Sequence, residues 1–282
     1  VFGGHHVIGQ DKLILERHPD VDYIIQGEGE KPLLALIESY PDVSNAPNLT
    51  YRNGEHGIIA NPRGRNLTEE ELDEIPIDLS DFMSTSVKGR CDRITYVSSR
   101  GCPMGCSFCV VGEKQPPRYK SVESAVKDLI NLVVLHDFVK IGIEDNFFIS
   151  NPKRTIQLCD EIRKRILPAR KFNWDCQTRL ESLRHESVVA HMARAGCDAV
   201  YIGVENFDDD VLHYLGKGET SSHYLQLLIE EVLPLLFKYK IECYLNIQLG
   251  VPGETEKTYR INFDAIRDVA NFAKTNNRTV YI

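Results

Sequence analysis

The sequence lacks an excess of basic residues, a long apolar segment and a secretory leader. Its 33 Lys and Arg against 41 Asp and Glu give a formal net charge of −8. Because binding to a polyanion needs a basic surface, this balance argues against a protein whose main ligand is nucleic acid. The chain has no run of about 18 apolar residues, the length typical of a membrane-spanning helix.

The opening residues, VFGGHHVIGQ, lack the basic and then apolar plan of a signal peptide, so we expect a cytoplasmic protein. Cysteine is also sparse, with eight in 282 residues. Most of them stand singly in apolar segments, where a free thiol behaves as a small hydrophobic side chain. A framework of disulfides is therefore not expected.

The first part of the chain divides into an α/β segment and a polar segment. Residues 1–40 read as strand, helix, strand, helix, an alternation typical of a parallel α/β sheet. Residues 41–90 contain several Pro, Asn and Gly residues and the turn signal Asn53-Gly54. We therefore predict the end of one α/β domain, followed by a linker with a small hairpin.

From about residue 94, strand-length apolar runs alternate with helical patterns. Asn151 and Pro152 begin one helix as N-cap and first helical residue, and Gly196 ends the next. Six strands with five helices between them predict a (β/α)6 partial TIM-type barrel over residues 91–282, with active residues after the strands. A doubly wound open sheet fits the same periodicity. The predicted strands are ITYVSS, VKIGIED, FNWDCQT, AVYIGVE, CYLNIQLG and TVYI.

Three cysteines cluster in RGCPMGCSFC, directly after the first of these strands. Cys102, Cys106 and Cys109 have the spacing C-x3-C-x2-C. Gly101 and Gly105 permit the loop to wrap closely around a compact group. Three thiolates suit three corners of an iron–sulfur cube and leave one iron open. Packing and zinc are the alternatives, but zinc usually takes a second ligand pair.

The segment CPMGCSFC resembles the cluster motif of the radical S-adenosylmethionine (radical SAM) superfamily, and Phe108 matches the aromatic residue usual before the third cysteine. Further segments resemble the ends of that family's second to fifth strands, in order. They are IGIEDNFF (141–148), QTR (177–179), YIGVEN (201–206) and IQLGVPGET (247–255). The resemblance covers residues 94–282. It implies a [4Fe-4S] cluster and the reductive cleavage of S-adenosylmethionine (SAM) to methionine and a 5′-deoxyadenosyl radical.

The resemblance implies that groups at the strand ends bind the methionyl part of SAM. Glu144, Asp145 and Asn146 offer oxygen atoms to its amine, although the family's usual Gly-Gly-Glu is Glu-Asp-Asn here. Helix capping is the alternative for these three. Arg179, in one motif with Gln177, is the candidate clamp for the cofactor carboxylate, because a guanidinium binds carboxylates bidentately. A surface salt bridge is the alternative.

Other candidates follow the fourth and fifth strands. Glu205, with Asn206 beside it, follows an apolar run, and a buried carboxylate there needs a partner. The ribose hydroxyls, the amine and Arg179 are the candidate partners. Lys217 could contact substrate or phosphate, or neither. The turn that could lie against the adenine contains Gly250, Val251 and Pro252.

Residues 1–40 resemble the last two strands of the cobalamin-binding-type domain that precedes many radical SAM barrels. In that family, glycine-rich turns after these strands edge the nucleotide pocket, and the D-x-H-x-x-G motif for the cobalt ligand would lie upstream. Cobalamin is therefore an open third cofactor. The matching positions are Gly3, Gly4, Gly27, Glu28, Gly29 and Glu30.

These features predict a radical SAM enzyme that modifies an unactivated carbon by methyl transfer, cyclisation or rearrangement. We expect a small-molecule, lipid or natural-product substrate and an electron from reduced flavodoxin or ferredoxin. One alternative is an enzyme like the tRNA methylthiotransferases, which share GVPGET-like motifs but bring a second cysteine triplet and a basic tail domain. The other is a catalytically silent iron–sulfur module, against which Arg179 and Glu205 speak.

Overall fold

The computed structural model describes residues 1–54, 57–77, 79, 93–110, 115–217 and 223–282, except for the His5 side chain. The chain forms two compact units, residues 1–68 and 69–282. Cys91 and the end of the predicted linker lie outside the described residues. No helix in the described part of the chain combines the length and apolar character that crossing a bilayer requires.

The first unit is a small sheet with two helices. Phe2 forms an isolated parallel bridge with Ile24, while β1 and β2 pair antiparallel, as do β2 and β3. Leu49 of β2 packs with Ile25 of β1 in this unit's core. The hairpin predicted within a linker is therefore part of the first unit's sheet. Its elements are α1 (Asp11–Arg17), β1 (Tyr23–Ile25), α2 (Glu30–Ser39), β2 (Leu49–Asn53) and β3 (Gly57–Ala60).

The second unit is built on a six-stranded parallel sheet in the order β11-β10-β9-β8-β7-β4. Sequential strands are neighbours and helices lie in the connections, which is the winding of a partial (β/α) barrel. A separate antiparallel pair joins β5 and β6. The strands are β4 (Arg93–Tyr96), β5 (Ser99–Arg100), β6 (Arg118–Tyr119), β7 (Lys140–Ile143), β8 (Asn173–Thr178), β9 (Cys197–Glu205), β10 (Glu242–Ile247) and β11 (Val280–Tyr281).

Two helix ends of this unit have the caps that the sequence predicts. Asn151 accepts a hydrogen bond from the Arg154 N–H, and Gly196 has a φ of +93° just after the helix that precedes β9. The helices are α3 (Glu69–Asp73), α4 (Val122–Ile130), α5 (Pro152–Arg165), α6 (Glu186–Arg194), α7 (Asp209–Tyr214), α8 (Tyr224–Gln226), α9 (Leu233–Tyr239) and α10 (Glu256–Thr275).

The two faces of the sheet differ in polarity, as β8 illustrates. Trp174 and Cys176 belong to the apolar core. Asp175 and Gln177 alternate with them; Asp175 forms an ion pair with Arg93 of β4, and Gln177 donates a hydrogen bond to Glu144 just after β7. Because side chains alternate along a strand, one face packs on apolar neighbours and the other carries polar groups. The polar face carries Gln177, which is one of the predicted cofactor-binding residues.

The first predicted barrel strand, ITYVSS, is shorter in the structure. β4 ends at Tyr96, and Ser99 pairs with Tyr119 in the antiparallel ladder instead. The physical reason is Asp145, whose carboxylate accepts the backbone N–H groups of Ser98 at 2.6 Å and Ser99 at 3.0 Å. These N–H groups are then unavailable to the parallel ladder.

Candidate active site

The three clustered cysteines lie on the loop after β4 and β5, at the carboxyl end of the parallel sheet. All three side chains are partly exposed. Burial raises the pKa of the Cys102 thiol, and the nearby Cys106 and Cys109 raise it further. The thiols are thus close enough to repel one another when ionised. A cationic group bound among them would relieve that repulsion.

The segment that ends α7 and follows it holds this loop. The Ser107 N–H donates to the Leu215 carbonyl at 3.2 Å, and Ser107 Oγ donates to the Tyr214 carbonyl at 3.0 Å. Gly216 has a φ of +73°, and a Cβ there would lie 3.2 Å from the Gly105 carbonyl oxygen. Glycine therefore permits both the backbone conformation and the close approach.

Arg179 follows β8 and reaches the cysteine loop. Its Nη1 donates to Cys106 Sγ at 3.9 Å, and its Nη2 donates to Glu181 Oε1 at 3.1 Å. The Tyr224 hydroxyl donates to the same Glu181 oxygen at 2.7 Å. Burial lowers the pKa of Arg179, but the contact with Glu181 more than offsets this and raises it overall. The predicted clamp is a fixed cation beside a cysteine of the cluster motif.

Asp145 forms its hydrogen bonds within the protein. It is completely buried, and its carboxylate accepts both the N–H and the hydroxyl of Ser98 and of Ser99, at 2.6 to 3.0 Å. Burial raises the pKa of Asp145, while these hydrogen bonds oppose the rise. This geometry favours a role in fixing the loop after β4 over contact with a cofactor.

Glu144 behaves differently from its neighbour. It is partly exposed, and it accepts hydrogen bonds from Gln177 Nε2 at 2.8 Å and from Arg93 Nη2 at 3.4 Å. Asn146 is exposed after it. The structure thus brings two predicted cofactor-binding residues, Glu144 and Gln177, together on the polar face of the sheet.

Glu205 ends β9 with a φ of +69°, an uncommon conformation for a residue other than glycine. Its buried Oε1 accepts a hydrogen bond from Lys217 Nζ at 3.0 Å, and the same ammonium donates to the Gly203 carbonyl. Burial lowers the pKa of Lys217, and Glu205 opposes that change. The buried carboxylate therefore has Lys217 as its partner within the protein, whereas Arg179, the partner considered from the sequence, pairs with Glu181.

The turn after β10 is joined to the end of β9 by a carboxylate. Glu254 Oε2 accepts the N–H groups of Gly250 at 2.5 Å and Val251 at 2.9 Å. Its Oε1 accepts from Asn206 Nδ2 at 2.9 Å. The completely buried Asn206 also accepts a hydrogen bond from Asn262 Nδ2 at 3.0 Å. The structure thus links Asn206 to the predicted adenine-side turn.

The remaining predicted residues are exposed at the loops. The Phe108 side chain, between the second and third cysteines, is 42% exposed, and Pro252 is exposed in the turn after β10. Sequence reasoning missed Glu181 and Glu254, which orient Arg179 and the turn. Glu254 stood within the quoted GVPGE motif, and that motif was the one available signal for it.

The donor set fits an iron–sulfur cube by its chemistry. Among the described residues, no three His, Cys, Asp or Glu side chains are arranged to hold one metal ion. A cube makes a different demand, because each thiolate binds a different iron. The three thiols on a glycine-containing loop, with a guanidinium beside Cys106, meet that demand for three of the four irons.

Solved structures with the same fold include cobalamin-dependent enzymes. TsrM, a radical SAM methyltransferase from Kitasatospora setae solved with cobalamin and a [4Fe-4S] cluster, superposes with a TM-score of 0.76 over 95% of this chain and 52% of its own, at 18% identity. The cobalamin-dependent SAM radical enzyme OxsB gives a TM-score of 0.74 over 93% of this chain and 38% of its own, at 22% identity.

Curated relatives are similar over nearly the whole chain. An uncharacterized methyltransferase of Pyrococcus horikoshii is 28% identical over 91% of this chain. The anaerobic magnesium-protoporphyrin IX monomethyl ester cyclase of Cereibacter sphaeroides is 26% identical over 97%. The cobalamin-dependent radical SAM methyltransferase TokK of Streptomyces tokunonensis is 24% identical over 96%. The chain spans 55%, 46% and 41% of their respective lengths.

A family-level match covers most of the barrel. The profile of the Radical SAM superfamily matches residues 96–264, more than half of the chain. This range includes the three cysteines, Arg179, Glu205 and the turn after β10. The predicted resemblance and the partial-barrel fold are confirmed. The chain belongs to the radical SAM superfamily.

Proposed function

We propose that the chain carries the SAM-cleaving centre of an enzyme that transfers a methyl group to an unactivated carbon. The observation that carries the proposal is the cysteine loop at the carboxyl end of the sheet, with Arg179 Nη1 3.9 Å from Cys106 Sγ. When bound, a reduced [4Fe-4S] cluster supplies the electron that cleaves SAM to methionine and a 5′-deoxyadenosyl radical. Cys102, Cys106 and Cys109 would hold that cluster.

Two groups would orient the methionyl part of SAM. Arg179, held by Glu181, would bind the carboxylate through its planar guanidinium. Glu144, oriented by the amide of Gln177, would accept hydrogen bonds from the N–H groups of the amine. Asn146 lies beside Glu144 and stays a weaker candidate. The Arg179 guanidinium is opposite in charge to the carboxylate it would bind, and the Glu144 carboxylate is an acceptor for a group that donates.

The nucleoside part of SAM would lie between the ends of β9 and β10. Glu205 would accept from the ribose hydroxyls, with Asn206 as its neighbour. The backbone from Gly250 to Pro252 would lie against the adenine, in a turn that Glu254 fixes. Burying the reacting groups at this end of the barrel would keep water from a reactive intermediate.

Methyl transfer with cobalamin is favoured over the other reactions by the relatives. TokK is a cobalamin-dependent radical SAM methyltransferase, and TsrM is a methyltransferase solved with cobalamin bound. In the first unit, Gly4 and Gly27 have φ values of +84° and +78°, and a Cβ at either would meet no atom within 4 Å. These open glycine turns fit the edge of a bulky, flat cofactor.

Cyclisation is the second candidate, because a magnesium-protoporphyrin ester cyclase is among the relatives. In either reaction we infer a small-molecule substrate and an electron from a reduced flavodoxin or ferredoxin of the cytoplasm. The comparisons support neither a methylthiotransferase nor a silent iron–sulfur module.

Anaerobic reconstitution with iron and sulfide tests the proposal. The wild-type chain, reduced with dithionite in the presence of SAM, is expected to form 5′-deoxyadenosine, measured by liquid chromatography and mass spectrometry. Cys106→Ala should form none, while Cys243→Ala, a change at a buried core thiol, should retain the reaction. Equal product from wild type and Cys106→Ala would contradict the proposal.

A further inference from the structure

Lys217 is a buried ammonium group close to the candidate site. It is 5% exposed, and its Nζ lies 3.0 Å from Glu205 Oε1. Removing two charges from water is unfavourable unless both find good partners. Lys164 and Glu161 form an ion pair of the same 3.0 Å length on the surface of α5, where that penalty is small. The burial of the Lys217–Glu205 pair therefore needs a reason, and its position next to the candidate site offers one.

The face of β9 that carries Glu205 has space for the Glu205–Lys217 pair because Gly203 lies on that face. A Cβ at Gly203 would lie 2.6 Å from Glu205 Oε1 and 3.1 Å from Lys217 Nζ. The ammonium also donates to the Gly203 carbonyl. Glu205 has a left-handed backbone conformation. Its carboxylate lies over Gly203, where it contacts the ammonium group of Lys217. Lys217 fixes the direction of that carboxylate.

The backbone next to Lys217 contacts the cysteine loop. The Leu215 carbonyl accepts the Ser107 N–H, and a Cβ at Gly216 would lie 3.5 Å from Cys106 Cα. Residues 214–217 therefore bind the cysteine loop through their backbone and Glu205 through one side chain. This segment therefore contacts both the cysteine loop and Glu205.

We propose that Lys217 is a positioning residue that orients Glu205 toward the nucleoside of SAM and keeps it in register with the cysteine loop. The inference rests on the function proposed above, and it adds the group through which Glu205 acts. Without the ammonium, the buried Glu205 carboxylate loses the partner that offsets its desolvation. It then rotates away from its position, and SAM loses an oriented acceptor.

Binding of SAM to the reconstituted chain tests the proposal without a catalytic readout. The measurements are the iron and sulfide content and the SAM dissociation constant from anaerobic calorimetry. Lys217→Met should retain the cluster and weaken SAM binding by about tenfold or more, a scale typical of breaking a buried charged pair. Lys217→Arg should recover most of the loss, and Lys164→Met should bind as the wild type does.

A double-mutant cycle separates positioning from general damage. If Lys217 acts through Glu205, the double variant Glu205→Gln with Lys217→Met should bind SAM as weakly as Glu205→Gln alone, within about twofold. This double variant removes both buried charges, so it also serves if Lys217→Met does not fold. Additive losses, or normal SAM affinity in Lys217→Met, would overturn the proposal.

The same cycle in urea unfolding keeps the two proposals apart. A wild-type chain that assembles no cluster contradicts the proposed function. In that case, a coupling between Glu205 and Lys217 in the unfolding of the cluster-free chain still supports the positioning contact. Independent effects of the two substitutions on unfolding would overturn it.

Discussion

At the scale of single residues, the site is organised by buried or half-buried charges that satisfy one another. Arg179 is held by Glu181, and Glu205 is held by Lys217, with nitrogen–oxygen distances of 3.1 and 3.0 Å. Each pair places one group that the cofactor would contact and one that orients it. Removing the orienting member should therefore affect both stability and binding.

The Glu181 carboxylate makes the stability of the cluster-free chain depend on pH. Burial raises its pKa, but Arg179 and Tyr224 outweigh burial and lower it below the ordinary 4.5. A carboxyl group with a lowered pKa in the folded state contributes stability above pH 4.5, and this contribution is lost as the pH falls through the folded pKa. Glu181→Gln should lose about 2 kcal/mol of unfolding free energy at neutral pH.

Urea unfolding of wild type and Glu181→Gln across the acid range checks this prediction. The difference between the two proteins should shrink as the pH falls below 4.5. Glu256→Gln, at an 82% exposed carboxylate, is the control and should change stability little. A difference between wild type and Glu181→Gln that is the same at every pH would contradict the assignment.

The cysteines, Arg179 and Glu205 could be predicted as site residues because each belongs to a short motif with fixed spacing. The side chains that orient these residues could not be predicted in this way. The Asp145 carboxylate accepts hydrogen bonds from residues that include Ser98, which lies 47 positions away in sequence. Such a contact depends on tertiary packing, and the sequence near Asp145 is equally compatible with a group that faces a ligand.

At the scale of elements, the loops after the strands are tied to one another by close backbone approaches and capping carboxylates. The segment after α7 contacts the cysteine loop, and Glu254 ties the turn after β10 to Asn206. These contacts hold the cysteine loop against the segment after α7, and the turn after β10 against the end of β9.

Gly216→Ala tests the tie to the cysteine loop. The added methyl would lie 3.2 Å from the Gly105 carbonyl at a φ of +73°, so we expect a displaced loop and less iron bound per chain. Gly9→Ala is a matched control, because its φ of +71° carries the same conformational penalty of about 1 kcal/mol but no atom lies within 4 Å. Equal iron content in the two variants, measured after reconstitution, would contradict this role.

Glu254→Ala tests the turn after β10. The substitution removes the acceptor of the Gly250 and Val251 N–H groups and of Asn206 Nδ2. We expect SAM to bind about tenfold more weakly, because the turn must then be ordered on binding. Calorimetry with Glu256→Ala as the exposed control measures the effect. Unchanged SAM affinity in a folded, cluster-containing Glu254→Ala would refute the adenine-side assignment.

The six parallel strands could be predicted from the sequence because each is an apolar run bounded by turn or cap residues. The early end of β4 could not, since it depends on a carboxylate from the loop after β7. A local pattern does not show which of two partners, a neighbouring strand or a side chain, takes a backbone N–H group.

At the scale of the whole molecule, the candidate residues for the cluster and for SAM are confined to the second unit. Every candidate cluster- or SAM-binding residue lies in residues 69–282. The division differs from the expected linker over residues 41–90, because the hairpin of β2 and β3 extends the sheet of the first unit. Antiparallel pairing of distant strands is not visible in a turn signal alone.

A fragment of residues 69–282 should therefore fold and assemble a cluster by itself. It contains all six parallel strands that the structure describes and the apolar core packed on them. Circular dichroism and iron content after reconstitution check this, with the fragment Cys106→Ala as the negative control. A fragment that stays unfolded while the full chain folds would show that the first unit is required for the fold.

If the chain holds the proposed [4Fe-4S] cluster, the iron without a cysteine ligand should bind SAM. Electron paramagnetic resonance and electron–nuclear double resonance of the reduced, reconstituted chain measure this directly, with SAM labelled by ¹⁷O in its carboxylate and ¹⁵N in its amine. We expect SAM to change the spectrum of the cluster and both labels to show hyperfine coupling to it. A fully loaded cluster whose spectrum is unchanged by saturating SAM, with no coupling to either label, would contradict it.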